Sequence, residues 1–210
     1  MTIRKDLLVM VADLDMENVM LSLLKRHQSF QIREVNYEIF RPPNTDSGCR
    51  GKGVDFARTF CKQYDHLILM FDHHGAGADK TTPEDLEKEL ESKLSINGWE
   101  DNRAAVVVIQ PELEAWVWGD SKEVDQVCGW RLRIPSLRQW LVAEGDIETE
   151  QSKPKDPKTT FKKVLNNAKP RKQFSAAIFR EPGEKVSFRN CQDRAFNKLK
   201  LTINNWFPVH

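Results

Sequence analysis

The sequence predicts an α/β protein in which helices flank a mostly parallel sheet, followed by a C-terminal helical extension. Short, continuously apolar segments recur in the first half of the chain, as in strands buried on both faces of a sheet. Helix-length segments separate them, an alternation typical of right-handed βαβ units. The 210 residues are enough for one such domain with an appendage. We predict an α/β core at residues 1–120 and a helical extension, packed on that core, at residues 121–210.

Three buried strands and one edge strand are predicted. The apolar segments LLVMVA and HLILMF stop at Asp13 and Asp72, and AAVVVI stops just before Pro111. The segment VNYEIF alternates polar and apolar residues, which indicates a strand nearer an edge of the sheet. In chain order, the four predicted strands span residues 7–12, 35–40, 66–71 and 104–109.

Helices are predicted between these strands and after the last of them. Thr82 before Pro83 is a typical helix start, with a capping residue followed by proline. A polar stretch rich in lysine and proline, residues 148–157, predicts a surface loop. The predicted helices of the core span residues 15–27, 51–63 and 83–94. Those of the extension span residues 121–127, 136–144, 157–168 and 190–206.

Composition and charge exclude several classes of protein. No apolar stretch approaches the roughly 18 residues of a membrane-spanning helix, and the amino terminus lacks a signal-peptide pattern, so we expect a cytoplasmic protein without membrane contact. Thirty-two basic and 31 acidic residues leave a formal charge of +1, so any nucleic acid must be held by local patches. The cysteines form no CxxC pair, which indicates reduced thiols rather than zinc ligands or disulfides: Cys49, Cys61, Cys128 and Cys191.

Acidic residues follow each of the three predicted buried strands. Since the carboxyl ends of parallel strands share one edge of a sheet, these acids are expected to converge there. Mg²⁺ and Mn²⁺ prefer carboxylate and water ligands, and phosphodiester cleavage also needs a group that moves protons. The alternative is that acids near helix starts only complement the helix dipole. The acids concerned are Asp13, Asp15 and Glu17 after the first strand, Asp72 after the next buried one, and Glu112 and Glu114 in PELEAW.

The segment DHHGAG, which Asp72 opens, adds His74 as a further candidate ligand. A carboxylate followed two positions later by a ligand suits a metal, and the glycines let backbone approach a phosphate. The alternative is a simple strand-terminating turn with solvated histidines. The PELEAW segment is predicted to open an apolar helix, which places Glu112 and Glu114 near its amino terminus.

The order of these motifs resembles a TOPRIM-like family of unassigned biochemistry, which reads strand-EGxTE, strand-DxD, PEIEAW and a lysine-rich helix start. The match covers roughly residues 6 to 165, and PELEAW is its most specific part. The whole chain is further similar to a small component of methylation-associated antiphage defence systems. The resemblance implies a TOPRIM-like fold and a metal-dependent site acting on phosphodiesters.

The resemblance also implies roles for individual residues. Asp13 takes the position of the general acid or base, and Glu17 that of the second acid. Metal ligation falls to Asp72, His74, Glu112 and Glu114. Two departures from the family pattern are that Asp13 is shorter than glutamate and that His74 replaces the second aspartate of DxD, which favours Mn²⁺ or a softer ion over Mg²⁺.

Basic residues at two places are candidates for phosphate contact. Lys155 and Lys158 belong to the lysine-rich stretch, and Arg50 and Lys52 lie in a polar segment, residues 41–53, predicted to be a loop. Lysines bind nucleic-acid backbones without sequence preference. The alternative for both places is a solvated surface.

The leading hypothesis is therefore a metal-dependent phosphodiester hydrolase, a TOPRIM-type nuclease of bacterial antiphage defence that uses Mg²⁺ or Mn²⁺. Its expected partners are nucleic acid, DNA in preference to RNA, and other proteins of a defence system such as an ATPase. A second hypothesis is a catalytically degenerate TOPRIM-like subunit that binds nucleic acid, a nucleotide or a partner protein. A third is a flavodoxin-like structural module without metal affinity, whose acids only cap helices.

Overall fold

A computed structural model describes residues 4–100, 102–118, 122–148, 153–175 and 193–209. Its centre is a four-stranded, fully parallel sheet in the order β2-β1-β3-β4. The strands are β1 (Lys5–Val11), β2 (Tyr37–Phe40), β3 (Tyr64–Asp72) and β4 (Ala104–Ile109). The predicted fold class is thus confirmed, since helices flank the sheet and a helix closes the described chain.

The three predicted buried strands lie side by side. Val9 pairs with Ile68 across β1 and β3, and Asp72 pairs with Ile109 across β3 and β4. Since all strands run in one direction, their carboxyl ends form a single edge, and Asp13 and Asp72 both lie there. The alternating strand β2 lies at the side of the sheet, as its pattern predicts.

The helices follow the predicted order with shifted boundaries. Predicted helix 15–27 is two helices, separated at Arg26. Two short 3₁₀ turns, His74–Ala76 and Leu113–Trp116, follow β3 and β4. The α-helices are α1 (Leu14–Lys25), α2 (His27–Phe30), α3 (Thr45–Arg58), α4 (Pro83–Ile96), α5 (Lys122–Val127), α6 (Leu137–Ala143), α7 (Pro157–Asn167) and α8 (Arg194–Trp206).

Helix α3 corrects the prediction for residues 41–53, because it begins at Thr45 and not at Gly51. Three glycines in its first turns lower the helix propensity and conceal the helix in the sequence. Two of them allow close packing: a side chain at Gly48 would overlap Pro43 O, and one at Gly53 would lie 3.2 Å from Leu69. Arg50 therefore lies on a helix and not in a loop, and so does Lys52, which falls in both the predicted loop 41–53 and the predicted helix 51–63.

The PELEAW segment also differs from its prediction. Instead of opening an apolar helix, Leu113–Trp116 forms one 3₁₀ turn, with Glu112 at its amino-terminal cap position. Its side chains are buried between the sheet and the later helices, and Trp116 meets Phe196 of α8 edge to face at 5.3 Å. The segment thus packs against α8 and does not continue as the predicted apolar helix.

The outer edge of β4 is covered by side chains instead of another strand. The Val106 N–H donates to Glu91 Oε1 at 2.9 Å, and the Val108 N–H donates to Glu87 Oε1 at 2.8 Å. Arg194 of α8 donates to Val108 O at 2.7 Å and pairs with Glu87. Acids of α4 and a base of α8 thus complete the hydrogen bonds of this edge.

One apolar cluster includes residues of the sheet and of the helices after residue 121, among them Phe161 and Phe196. The described part of the extension therefore packs on the core, while the division at residue 120 stays a prediction. Cys49, Cys61 and Cys128 are free thiols. None of the helices described is both long enough and apolar enough to cross a bilayer. Residues 121, 149–152, 176–192 and 210 of the extension lie outside the described residues, and with them Cys191 and the first residues of the predicted helix 190–206.

Candidate metal centre

Three carboxylates meet at the carboxyl edge of the sheet. Asp72 ends β3, while Glu112 and Glu114 follow β4 in the 3₁₀ segment. One oxygen of each can be chosen so that all three lie within 4.8 Å of one another. Asp72 and Glu114 are buried, with 7% and 2% of their surface exposed. The geometry is that of a compact oxygen-ligand group open to a divalent cation.

Two oxygens of this group have no hydrogen-bond partner in the described chain. Both are buried: Asp72 Oδ1 accepts no hydrogen bond, and Glu114 Oε1 has only an ion pair with Lys158, whose Nζ lies 3.4 Å away. Burial raises the pKa of Asp72 well above its ordinary value, and Asp46, Glu114 and Asp13 raise it further. Burial likewise raises the pKa of Glu114. Because an unpartnered buried carboxylate costs free energy, a bound cation would relieve both the burial and the mutual repulsion.

Lys158 supplies a cation from the chain itself. Its Nζ lies 3.5 Å from Glu112 Oε2 and 3.4 Å from Glu114 Oε1. Burial opposes the charged form of Lys158, but Glu114, Glu112 and Asp72 outweigh it and raise its pKa. The pKa of Glu114 nevertheless stays raised, because burial exceeds the attraction of the lysine. The lysine therefore neutralises the group only in part.

The position of Lys158 is fixed by the start of α7. Asp156 caps the helix by accepting the Thr159 N–H at 2.9 Å, and Pro157 is the first helical residue. Trp118 Nε1 donates to Pro157 O at 3.1 Å, which ties this turn to the segment after β4. Lys158 is thereby directed at the carboxylates from a helix 46 residues away in sequence from Glu112.

Asp46 belongs to the centre and was not predicted from the sequence. Its Oδ1 accepts the backbone N–H of Asp72 at 2.8 Å, and a side chain at Gly75 would overlap its Oδ2. Burial raises the pKa of Asp46, and Asp13 adds to the rise. The position of Asp46 shortly after the predicted second strand is a signal for it, but the polar, glycine-rich composition of residues 41–53 predicts a loop and conceals it.

The acids after β1 lie at the same edge with different partners. Asp13 caps α1 by accepting the Met16 N–H at 2.9 Å, so the helix-capping interpretation holds for one of its oxygens. Glu17 pairs with Arg41 at 2.8 Å. Burial, together with Asp13, raises the pKa of Asp15 to about 6. The catalytic roles of Asp13 and Glu17 stay predictions.

An open cavity of about 500 Å³ adjoins Glu112 and Lys158. His74 is exposed and lines this cavity, outside the compact group of three carboxylates found among the described residues. Lys155 also lines it, and its ammonium pairs with Glu148. The cavity volume exceeds that of a phosphate group, and Glu112 is the member of the three-carboxylate group that lines it.

Arg50 and Lys52 lie apart from this cavity wall. Arg50 Nη1 donates to Ala76 O at 3.0 Å and also bonds Gly77 O, so it holds the turn that follows β3. Lys52 is exposed on α3. The structure thus gives Arg50 a positioning contact with the DHHGAG segment, and phosphate contact by either residue stays a prediction.

Comparison of the chain with protein-family models, with curated proteins and with solved structures found no match. The resemblance to TOPRIM-like proteins therefore depends on the sequence motifs alone. What the fold and the site define is an α/β protein with a buried acidic group that could hold a divalent metal ion.

Proposed function

We propose that this chain is a divalent-metal-dependent phosphodiester hydrolase, a TOPRIM-type nuclease that acts in bacterial antiphage defence. One observation carries the proposal: Asp72 and Glu114 place buried oxygens without hydrogen-bond partners beside Glu112, next to an open cavity. A structural acid at a helix start would be capped or solvated, whereas Asp72 Oδ1 has no partner among the described residues and Glu114 Oε1 has only Lys158, 3.4 Å away.

The residues divide into three roles. Asp72, Glu112 and Glu114 hold Mg²⁺ or Mn²⁺, and His74 at the cavity offers a further ligand. When bound, such an ion supplies positive charge to a phosphate oxygen and lowers the pKa of water. Asp13 and Glu17 handle protons at the reacting oxygens. The bases Lys155, Lys158, Arg50 and Lys52 attract the phosphates of nucleic acid, DNA in preference to RNA.

The competing proposal is a degenerate TOPRIM-like subunit that binds nucleic acid, a nucleotide or a partner protein such as a defence ATPase. Specific contacts favour it: Asp13 is engaged as a helix cap and Glu17 is paired with Arg41. Such a subunit would retain the cation site and lose the chemistry. Metal binding and cleavage must therefore be measured separately.

Metal binding is tested by thermal denaturation with Mn²⁺ or Mg²⁺ against EDTA. Ligand present at about 100 times its Kd stabilises the folded state by about 2.7 kcal/mol, which we expect for both ions and more strongly at a given concentration for Mn²⁺. Asp72→Ala should lose the effect, and Asp55→Ala, at an exposed acid of α3, should keep it. No stabilisation by either ion at millimolar concentration would refute the metal site and leave the structural-module interpretation.

Cleavage is tested with duplex DNA, single-stranded DNA, RNA and nucleotides in the presence of Mn²⁺. Asp13→Asn should abolish turnover while keeping most of the metal-induced stabilisation, because only the proton-handling group is altered. If the wild type, supplied with its partner proteins, cleaves nothing above the Asp13→Asn background, the nuclease proposal fails. The binding-subunit proposal then takes its place.

A further inference from the structure

Two aliphatic side chains stand fully in solvent on the turn after α5. Leu132 is 93% exposed and Ile134 is 98% exposed, whereas the neighbouring Trp130 is buried. We call residues 131–134 the aliphatic loop; its sequence is Arg-Leu-Arg-Ile. Single exposed aliphatics are common on proteins, but two at the tip of one short loop form a protruding apolar wedge.

The loop is held in a fixed and strained shape. Leu132 has a left-handed backbone with φ 62, which side chains other than glycine rarely adopt. The Arg133 N–H donates to Trp130 O at 3.1 Å, and the Arg133 guanidinium stacks 3.6 Å from the centre of the Trp130 ring. Such strain persists only where the surroundings impose it, and it is concentrated at functional sites.

Basic residues lie in the aliphatic loop and in the segment next to it. Arg131 lies in the loop, and the segment after α7 adds Lys169, Arg171 and Lys172. This segment adjoins the turn before the loop, because Lys172 Nζ donates to Val127 O at 2.7 Å and Gly129 lies close to Ala168. In the described ranges, Arg133 and Arg171 donate to the neutral oxygens Asn167 O and Asn166 Oδ1 and not to an acid. The surface is therefore complementary to a polyanion.

Helix α7 connects this surface to the acidic centre. Its first turn carries Lys158 between Glu112 and Glu114, and its last residue, Asn167, accepts a hydrogen bond from Arg133 Nη1 at 2.8 Å. Nine residues at a rise of roughly 1.5 Å separate the two points by about 14 Å along the axis. That length equals about four base pairs at roughly 3.4 Å each.

We propose that the aliphatic loop is a wedge for double-stranded nucleic acid, inserted between base pairs while the surrounding bases hold the phosphates. Leucine and isoleucine flanked by basic residues suit minor-groove insertion, which unstacks a base step and kinks the duplex. Single-strand binders instead stack bases on exposed aromatic rings, and the aromatic ring next to this loop, that of Trp130, is buried. The inference rests on the proposed function in one respect: the aliphatic loop would hold the duplex whose phosphodiester is cleaved at the acidic centre.

The test uses the full chain in EDTA, so that duplex binding is measured apart from metal binding and cleavage. Fluorescence anisotropy follows a labelled DNA duplex of about two helical turns and one of its single strands. The double variant Leu132→Ser with Ile134→Ser should bind the duplex about tenfold or more weakly, which corresponds to a loss of about 1.4 kcal/mol of binding free energy. Single-strand binding should change less than about twofold. The matched control is Ile96→Ser, an 85% exposed aliphatic at the end of α4.

Two further measurements separate a wedge from a merely basic surface. Energy transfer between dyes at the duplex ends should rise with wild type and Ile96→Ser and stay unchanged with the double serine variant, because insertion kinks DNA. Arg131→Gln with Lys169→Gln should instead reduce the salt dependence of binding by about 0.9 in log–log slope for each phosphate that is no longer neutralised.

Several outcomes would overturn the inference. Equal duplex affinity and equal kinking of the wild type and the double serine variant would show that the loop does not insert. Absence of duplex binding by the wild type would do the same. If the double variant instead loses binding to vesicles containing phosphatidylserine and keeps its DNA affinity, the wedge serves a membrane surface. Failure of Mn²⁺ and Mg²⁺ to stabilise a protein that still kinks duplex DNA would refute only the proposed function.

Discussion

The carboxylate of Asp46, in the first turn of α3, accepts the backbone N–H of Asp72 at 2.8 Å. This bond fixes the end of β3 at the point where the candidate metal ligand Asp72 leaves the strand. It also brings a second negative charge to a buried carboxylate, whose pKa burial and Asp46 both raise. Asp46 thus orders the centre while adding to the repulsion that a cation would relieve.

Replacing Asp46 by asparagine or by alanine should separate these two effects. Asp46→Asn keeps an acceptor for the Asp72 N–H and removes the charge, whereas Asp46→Ala leaves that buried donor unpaired. In EDTA we expect the alanine variant to be less stable than the asparagine variant by about 1–3 kcal/mol, measured by urea unfolding. Equal stability of the two would show that the hydrogen bond contributes nothing.

Gly75→Ala should disturb the same carboxylate from the other side. A methyl group at Gly75 would overlap Asp46 Oδ2, and we expect the variant to lose about 1–3 kcal/mol in urea unfolding together with most of its Mn²⁺ stabilisation. Gly51→Ala is the control, since its added methyl group meets nothing within 4 Å. At this exposed position of α3 it should raise stability by up to about 1 kcal/mol.

Lys158→Met should bind Mn²⁺ more tightly and substrate less tightly. Two unit charges about 4 Å apart interact with about 1 kcal/mol in bulk water and about 4 kcal/mol near a protein surface. Removing the repulsion between Lys158 and the bound ion should therefore raise the Mn²⁺ affinity about tenfold, measured by calorimetry. Phosphate binding should weaken in the same variant. Lys162→Met, at an exposed position one turn further along α7, should leave the Mn²⁺ affinity unchanged.

The metal-free protein should lose stability as the pH rises from about 4 through about 6. The pKa of Asp15 rises on folding from 3.8 to about 6, chiefly through burial, so the folded state binds a proton that the unfolded state releases in this range. Asp15→Asn should reduce the loss, and screening at this half-buried position limits the difference to about 1 kcal/mol. Urea unfolding at several pH values in EDTA measures it. Parallel curves for both proteins would contradict the prediction.

Leu132→Gly should stabilise the protein and lower its affinity for a DNA duplex. Glycine adopts the left-handed backbone without the steric cost of a side chain, so we expect a gain of up to about 1 kcal/mol, or roughly 2–4 °C in Tm. Ile134→Gly should show no gain, because the φ of Ile134 is not positive. If both variants are stabilised equally, or if neither is, release of backbone strain at Leu132 does not explain the change in stability.

The sheet was predictable because strands buried on both faces need apolar residues at every position, as LLVMVA and AAVVVI show. The place of Asp13, Asp72 and Glu112 at one edge followed from the parallel direction of those strands. Asp46 was not found because glycines obscured the helix that carries it. The contact of Lys158 with Glu112 could not be predicted, since no local pattern encodes a contact between residues so distant in sequence; the family resemblance predicts only phosphate contact for this lysine.

The covered outer edge of β4 limits how the sheet can pair with strands of other chains. An incoming strand needs free N–H and C=O groups, and here the N–H groups of Val106 and Val108 already donate to Glu91 and Glu87. Among the described residues, β2 forms the other edge of the sheet, so strand addition by a peptide or by a second copy would be expected there. In an assembly formed through β2, the β4 edge would lie on the far side of the sheet. The helices α4 and α8, which cover that edge, would then remain available for other contacts.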